Sequence, residues 1–159
     1  MQEMNPQRRD ALKQGGTAAI FALFASAGLI RPGTARADWN PTAFGAKGVD
    51  AVIKGLGGAT AAPSKDVGWG STPEIAENGA VVPISVTSNI PKTETIALLV
   101  EKNPNTLAAS FTIPPGTDPS ISTRVKMGES SQVHALIRAD GKYFIASREI
   151  KVTLGGCGG

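Results

Sequence analysis

The residue best suited to chemistry in this sequence is its single cysteine. It stands between two pairs of glycines in the terminal run Gly155, Gly156, Cys157, Gly158, Gly159. A cysteine thiol is a nucleophile that can hold a substrate covalently. Because glycine offers no side chain to pack and has wide backbone freedom, this run predicts a slim, mobile arm rather than a buried cysteine. At about 3.3–3.6 Å per extended residue, Cys157 would reach on the order of 10 Å beyond Leu154.

The sequence lacks the companions that a catalytic or metal-bound cysteine requires. One cysteine excludes an internal disulfide and a multi-cysteine zinc site, and one histidine excludes a multi-histidine metal centre. His134 could act as a distant base for Cys157, but a mobile arm would not hold a base within hydrogen-bond reach, and we expect His134 to be an exposed strand residue. We therefore predict no metal, no cofactor and no catalytic residue. The thiol would be activated by whichever protein it visits.

Residues 1–37 resemble a cleavable export signal of the twin-arginine (Tat) kind. Arg8 and Arg9 precede a weakly apolar stretch over 14–30, and Ala35-Arg36-Ala37 is a small-x-small cleavage site. The stretch is short and small-sided for a membrane span. An uncleaved anchor is the alternative, but charged residues and a proline interrupt the stretch where a span would continue (Arg31, Pro32, Arg36). A periplasmic location is therefore expected.

The export signal also accounts for the net charge of +3. Residues 1–37 contain five basic and two acidic residues out of 16 and 13 in the whole sequence, which leaves 11 of each sign from Asp38 onward. A chain with no net charge gives no electrostatic case for binding nucleic acid or an anionic membrane.

The rest of the chain must position the arm. The spacing of its apolar residues changes once, from that of a helix to that of strands. Over 38–62 the apolar spacing is near that of a helix, with Pro41 at its start and Gly57-Gly58 as a stop. The β-sandwich domain is predicted over 63–153: from about residue 80 the spacing becomes two, in six or seven short runs separated by turn residues such as Asp140-Gly141. This predicts an all-β, immunoglobulin-like antiparallel sandwich with an N-terminal helix and a carrier arm over 154–159. A small barrel is the alternative.

Two details of the strand pattern lead to further expectations. Pro83 cannot donate a backbone hydrogen bond, so an edge position is predicted there. Several apolar residues fall on the side opposite the inferred core, where either a partner protein or the N-terminal helix would cover them. These residues are Val81, Ala97, Leu99, Ala108 and Leu136.

An exported sandwich that ends in Gly-Gly-Cys-Gly-Gly resembles the SoxY family, the sulfur-carrier subunits of the periplasmic thiosulfate-oxidising (Sox) system. Internal segments over 75–83, 101–104, 122–125 and 151–153 also resemble that family. The resemblance implies that Cys157 is the covalent attachment point for inorganic sulfur anions and that Gly155, Gly156, Gly158 and Gly159 keep the arm flexible and slim. It implies a carrier without enzymatic activity of its own.

The resemblance also implies the partners. A SoxZ-like β-sandwich subunit would form a heterodimer with this chain. A c-type cytochrome would join thiosulfate oxidatively to the carrier cysteine, a dimanganese hydrolase would release sulfate, and a molybdenum–haem sulfane dehydrogenase would oxidise the remaining sulfur.

Two other functions remain open from the residues alone. The chain could be a periplasmic binding or assembly module that uses Cys157 for an intermolecular disulfide, including a Cys157-linked homodimer. It could also be a thiol enzyme with His134 as its base. Prenylation is excluded because Cys157 is third rather than fourth from the end.

Overall fold

The computed structural model describes residues 39–153. The predicted export signal over 1–37 and the predicted arm over 154–159 lie outside the described residues. The elements follow one another along the chain as two helices, α1 (Pro41–Phe44) and α2 (Val49–Gly55), and nine strands: β1 (Ala62–Pro63), β2 (Val67–Trp69), β3 (Ile75–Ala76), β4 (Val82–Ser88), β5 (Thr93–Val100), β6 (Leu107–Thr112), β7 (Ser120–Val125), β8 (Ser131–Ala139) and β9 (Lys142–Val152). Neither helix is long and apolar enough to cross a membrane, among the residues described.

The strands form two sheets of a sandwich. The larger sheet has the order β1-β9-β8-β5-β6, with β3 also paired to β9, and the smaller has the order β2-β4-β7. The predicted immunoglobulin-like sandwich is confirmed. Its long strands pair antiparallel, whereas the two-residue strands β1 and β3 pair parallel to β9. Strand β9 is therefore covered along its outer edge at two separate places.

The core between the sheets follows the period-two pattern of the sequence. Strand β4 contributes side chains to it at alternate positions, and β5 and β8 do the same from the facing sheet. Nine of these side chains are fully buried: Val82, Ile84, Val86, Ile96, Leu98, Val100, Val133, Ala135 and Ile137.

The turn between β8 and β9 is the tight hairpin that the sequence predicts. Ala139 pairs with Lys142, so the loop consists of two residues. Both have positive φ, 49° for Asp140 and 73° for Gly141, as a type I′ turn requires. This turn fixes the register of β9 against β8, and with it the position at which β9 ends.

Pro83 has a neighbouring strand on one side only, so its own position is a local edge as predicted, although its strand is not an edge strand. Strand β4 is the middle strand of its sheet, between β2 and β7. Pro83 is tolerated because β2 pairs only with Val86–Ser88, so no neighbouring strand needs a hydrogen bond from the position of Pro83 on that side.

The predicted helical segment is divided into two short helices that cover the outer face of the larger sheet. Asn40 caps α1, because its side-chain oxygen accepts a hydrogen bond from the backbone N–H of Ala43 at 3.0 Å. Gly48, with a φ of 87°, is the N-cap residue of α2. Ala43, Val52 and Ile53 pack there against outward-facing residues of the sheet (Ala97, Leu99, Leu107, Leu136, Tyr143). The hydroxyl of Tyr143 donates to the carbonyl oxygen of Leu56 at 2.6 Å.

The outward-facing apolar residues of the larger sheet were expected to be covered either by a partner protein or by the N-terminal helical segment, and for three of them it is the helices. Ala97, Leu99 and Leu136 are buried at 1 % exposure or less, because the helices lie on them. They are therefore not available to a partner protein. Val81 and Ala108 remain exposed, Val81 by 52 %.

Candidate functional site

Cys157 and its four flanking glycines lie outside the described residues, and β9 is the strand that leads to them. Thr153 is the last described residue and stands four positions before Cys157. The segment around Thr153, where β9 ends, is called the arm root below. Its geometry sets the point from which Cys157 can reach outward.

The arm root is held from two directions. On one side, the backbone N–H of Val152 donates to Ser130 Oγ at 2.8 Å. On the other side, the backbone N–H of Thr153 donates to the carbonyl oxygen of Ala76 at 3.0 Å, and its hydroxyl donates to that of Glu77 at 3.3 Å. Ile150, three residues before Thr153, is fully buried in the core. The strand therefore stays ordered up to its final residue.

Strand β3, which supplies Ala76, is itself attached to β9. Arg148 Nη1 donates to the carbonyl oxygen of Thr72 at 2.7 Å, and the guanidinium carbon lies 6.0 Å from the ring centroid of Trp69. The hydroxyl of Thr72 in turn exchanges two hydrogen bonds with the backbone of Ser85, at 2.9 and 3.1 Å. The 72–77 segment thus connects the smaller sheet to the arm root.

Sequence reasoning missed these supporting residues. Arg148 and Thr72 are 76 positions apart, as are Thr153 and Glu77, and Ser130 and Val152 are 22 apart. No local pattern reports such contacts. The one available signal was an arginine in a strand that otherwise alternates apolar residues toward the core.

His134 lies elsewhere on the sheet, and the prediction that it is exposed is wrong. Its side chain is only 12 % exposed, because β8 lies between β5 and β9 and the ring packs among their side chains. Nδ1 shares a hydrogen bond of 2.7 Å with Ser147 Oγ, while Nε2 is buried without a hydrogen-bond partner, 3.8 Å from Glu101 Oε2. Burial lowers the pKa of His134 below its ordinary value of 6.5, and the nearby Glu101 carboxylate opposes this only in part.

The strand register separates His134 from the arm root. His134 pairs with Ser147, six residues before Thr153, which corresponds to about 20 Å along β9. Four residues of extended chain beyond Thr153 span only about 14 Å. Residues 39–153 also contain no group of three or more His, Cys, Asp or Glu side chains that could hold a metal ion.

Comparison with known proteins identifies the family. The family model described as "Sulfur oxidation protein SoxY" matches residues 54–157 of this chain. The chain belongs to the SoxY family. The match covers most of the described sandwich and ends at residue 157.

One solved structure agrees with the SoxY assignment. The structure of the sulfur carrier protein SoxY from Chlorobium limicola f thiosulfatophilum is similar at 34 % identity and a TM-score of 0.59, over 66 % of this chain and 94 % of that one. A superoxide reductase (neelaredoxin) variant from Ignicoccus hospitalis is similar at 19 % identity and a TM-score of 0.47, over 54 % of this chain and 78 % of that one, which is too distant to indicate a shared activity. A search among curated protein sequences gave no match.

Proposed function

We propose that this protein is a covalent carrier in sulfur oxidation that holds sulfur intermediates on the thiol of Cys157. The observation that carries the proposal is the SoxY family match, which ends on the chain's single cysteine. The solved relative, 94 % of whose chain is covered by the match, is described as a sulfur carrier protein. An arm root held by Ser130, Ala76 and Glu77 supports the proposal, because it gives the terminal segment a firm base.

Loading would form one sulfur–sulfur bond at Cys157. The Cys157 thiol and thiosulfate combine into a cysteine S-thiosulfonate, with loss of one proton and transfer of two electrons to a c-type cytochrome partner. A dimanganese hydrolase then adds water to the terminal sulfonate, which leaves as sulfate and two protons, and a persulfide anion remains on Cys157. A sulfane dehydrogenase oxidises that remaining sulfur.

The proposal assigns no catalytic residue to this chain. His134 is the one histidine of the sequence, and its distance of about 20 Å along the strand from the arm root exceeds the reach of the four residues that lead to Cys157. Chemistry at the thiol would therefore depend on groups of the visited enzyme. On this proposal the carrier supplies the thiol and the enzymes supply the catalytic groups.

Location and assembly are part of the same proposal. A Tat-like signal over 1–37 supports export to the periplasm. The SoxY family supports a SoxZ-like subunit as the heterodimer partner. Because the Tat route exports folded proteins, the partner subunit could travel with this chain.

Intact-mass spectrometry of the protein isolated from thiosulfate-grown cells tests the proposal. We expect adducts of sulfane sulfur or thiosulfonate on Cys157, removed by a thiol reductant and absent from a Cys157→Ser variant. A bare thiol, or only a disulfide-linked dimer, would contradict the carrier function and favour a disulfide-forming assembly module.

A further inference from the structure

Strand β6 is a sheet edge without the short length or the charged side chains that usually keep an edge from pairing with another chain. Strand β1 has two residues and ends in Pro63, and β3 has two residues between Glu74 and Glu77. Strand β2 has three residues, and β7 carries Arg124. By contrast, β6 has six residues and lies in an uncharged stretch over 103–117. Its outer side is therefore suited to pairing with a further strand.

The strand register shows which backbone groups of β6 point away from its sheet. The backbone N–H of Ile113 donates to the carbonyl oxygen of Glu94 at 2.8 Å, so these two residues form a hydrogen-bonded pair. Because such pairs alternate along an antiparallel ladder, Ser110 and Thr112 belong to non-hydrogen-bonded pairs with β5. Their backbone N–H and C=O groups point to the outer side of β6, where no strand in the described part of the chain pairs with them.

A β-bulge limits the part of β6 that can pair regularly. The ladder between β5 and β6 shifts register after Leu98 and Ala109, which leaves Ala108 as an extra residue. A bulge disrupts the ladder and bends its strand. The outward groups available for regular pairing are therefore those of Ser110 and Thr112, and the side chains of both residues are exposed.

These two residues complement a second copy of the same strand. When two β6 strands run antiparallel about a twofold axis at Phe111, Ser110 of each copy lies opposite Thr112 of the other. Each pair exchanges two hydrogen bonds, so the two pairs use all the outward backbone groups of both residues. An axis at Ser110 would instead place Thr112 opposite the bulged Ala108. The axis at Phe111 is therefore the register that satisfies the edge.

The side chains match in the same register. Phe111 packs at the margin of the core and lies opposite Phe111 of the second copy, in a non-hydrogen-bonded pair, where cross-strand side chains are closest. Aromatic cross-strand pairs stabilise sheets, as do pairs of hydroxyl side chains such as Ser110 and Thr112. Since the stretch over 103–117 is uncharged, two copies of it meet without like-charge repulsion.

We propose that this protein forms a homodimer by antiparallel pairing of β6 with β6 of a second copy, centred on Phe111. The pairing joins the two larger sheets into one continuous sheet. It is independent of the proposed carrier function and of any disulfide at Cys157, because it uses backbone groups of β6 alone.

Sedimentation equilibrium of the mature protein, with any subunit that co-purifies, tests the pairing. A Cys157→Ser background removes disulfide-linked dimers from the measurement. We expect assemblies that contain two copies of this chain, and slower hydrogen exchange at the backbone amides of Ser110 and Thr112 as the protein concentration rises. One copy of this chain at every concentration, or exchange at these two amides that does not depend on concentration, overturns the proposal.

Charges introduced at Ser110 and Thr112 test the register. Ser110→Lys combined with Thr112→Lys places like charges opposite each other at both pairs and should raise the dimer dissociation constant by about tenfold or more. Ser110→Lys combined with Thr112→Glu places opposite charges across the junction and should keep the dissociation constant within about threefold of the parent value. Gln132→Lys adds the charge at an exposed position of a middle strand of the same sheet and should leave the dissociation constant unchanged.

The comparison of the two double variants decides the outcome, because both change the same two exposed positions and differ in one charge. Equal dissociation constants in two variants that unfold at the parental temperature contradict the register and overturn the proposal. If the variant with two lysines instead loses a co-purifying subunit while the number of copies of this chain stays the same, β6 binds that subunit and the homodimer is wrong.

Discussion

The guanidinium of Arg148 donates to the carbonyl oxygen of Thr72 at 2.7 Å across 76 positions of sequence. This contact joins β9 to the segment that leads into β3, and β3 supplies the Ala76 carbonyl that accepts from the backbone N–H of Thr153. Its position makes Arg148 a support of the arm root rather than a surface charge.

Arg148→Ala should destabilise the protein by about 1–3 kcal/mol, because a charged hydrogen bond and a contact with the Trp69 ring are lost together. Hydrogen exchange should also become faster at the backbone amides of Lys151 and Thr153, which donate to the 74–76 segment. Arg138→Ala is the matched control. It breaks an ion pair with Glu94 in which both side chains are 46 % exposed, so about 0.5 kcal/mol or less is expected. Equal effects of the two variants in chemical denaturation would contradict the supporting role.

Gly58→Ala should destabilise the cover that the helices form over the outer face. A Cβ atom at Gly58 would lie 2.7 Å from the Tyr143 ring and 2.9 Å from Ile53, so buried side chains must shift, at a cost of about 1–3 kcal/mol. Gly128→Ala provides the control, because nothing lies within 4 Å of its added Cβ. Thermal unfolding should show a lower Tm for the first variant and little change for the second. A Gly58→Ala protein as stable as its parent would mean that the helices do not pack as described.

His134 should make stability fall as the pH is lowered. Burial depresses the pKa of His134 in the folded state below 6.5, so the unfolded chain binds the proton first. Its contribution is therefore complete above pH 6.5 and decreases from there down to the folded pKa. His134→Gln should reduce the difference in unfolding free energy between about pH 7.5 and about pH 5.5. Since the chain has one histidine, the slope that remains in the variant measures other groups, chiefly carboxylates. An unchanged slope would rule out this role.

Removal of the imidazole should not affect carriage. His134→Ala is expected to load and release sulfur at the parental rate, whereas Cys157→Ser should lose carriage entirely. Loading with thiosulfate in the presence of the cytochrome partner, followed by intact-mass analysis, measures both. Slow loading of the His134→Ala variant, with native stability, would favour a thiol enzyme with His134 as base.

Much of the fold is predictable from the sequence, because the long strands place apolar residues toward the core at every second position. The six runs from about residue 80 onward correspond to strands β4 to β9, and Asp140-Gly141 marks the only two-residue hairpin loop between paired long strands in the described part of the chain. Period-two burial and turn chemistry are local properties, so a sequence reports them directly.

The arrangement of the supports is not predictable in the same way. The parallel pairing of β1 and β3 with β9 rests on two residue pairs each, too few for a periodic pattern. The free edge beside Pro83 depends on the short length of β2, and the burial of His134 depends on which strands flank β8. Each of these features comes from tertiary neighbours that are distant in sequence.

The register of β9 also has a mechanical consequence. Nine consecutive residue pairs join β9 to β8, and their hydrogen bonds lie perpendicular to the strands. A pull on the chain beyond Thr153, directed along β9, would load these bonds together in shear instead of opening them one after another. The end of β9 should therefore resist a force applied along the strand more strongly than a force that peels it away from β8.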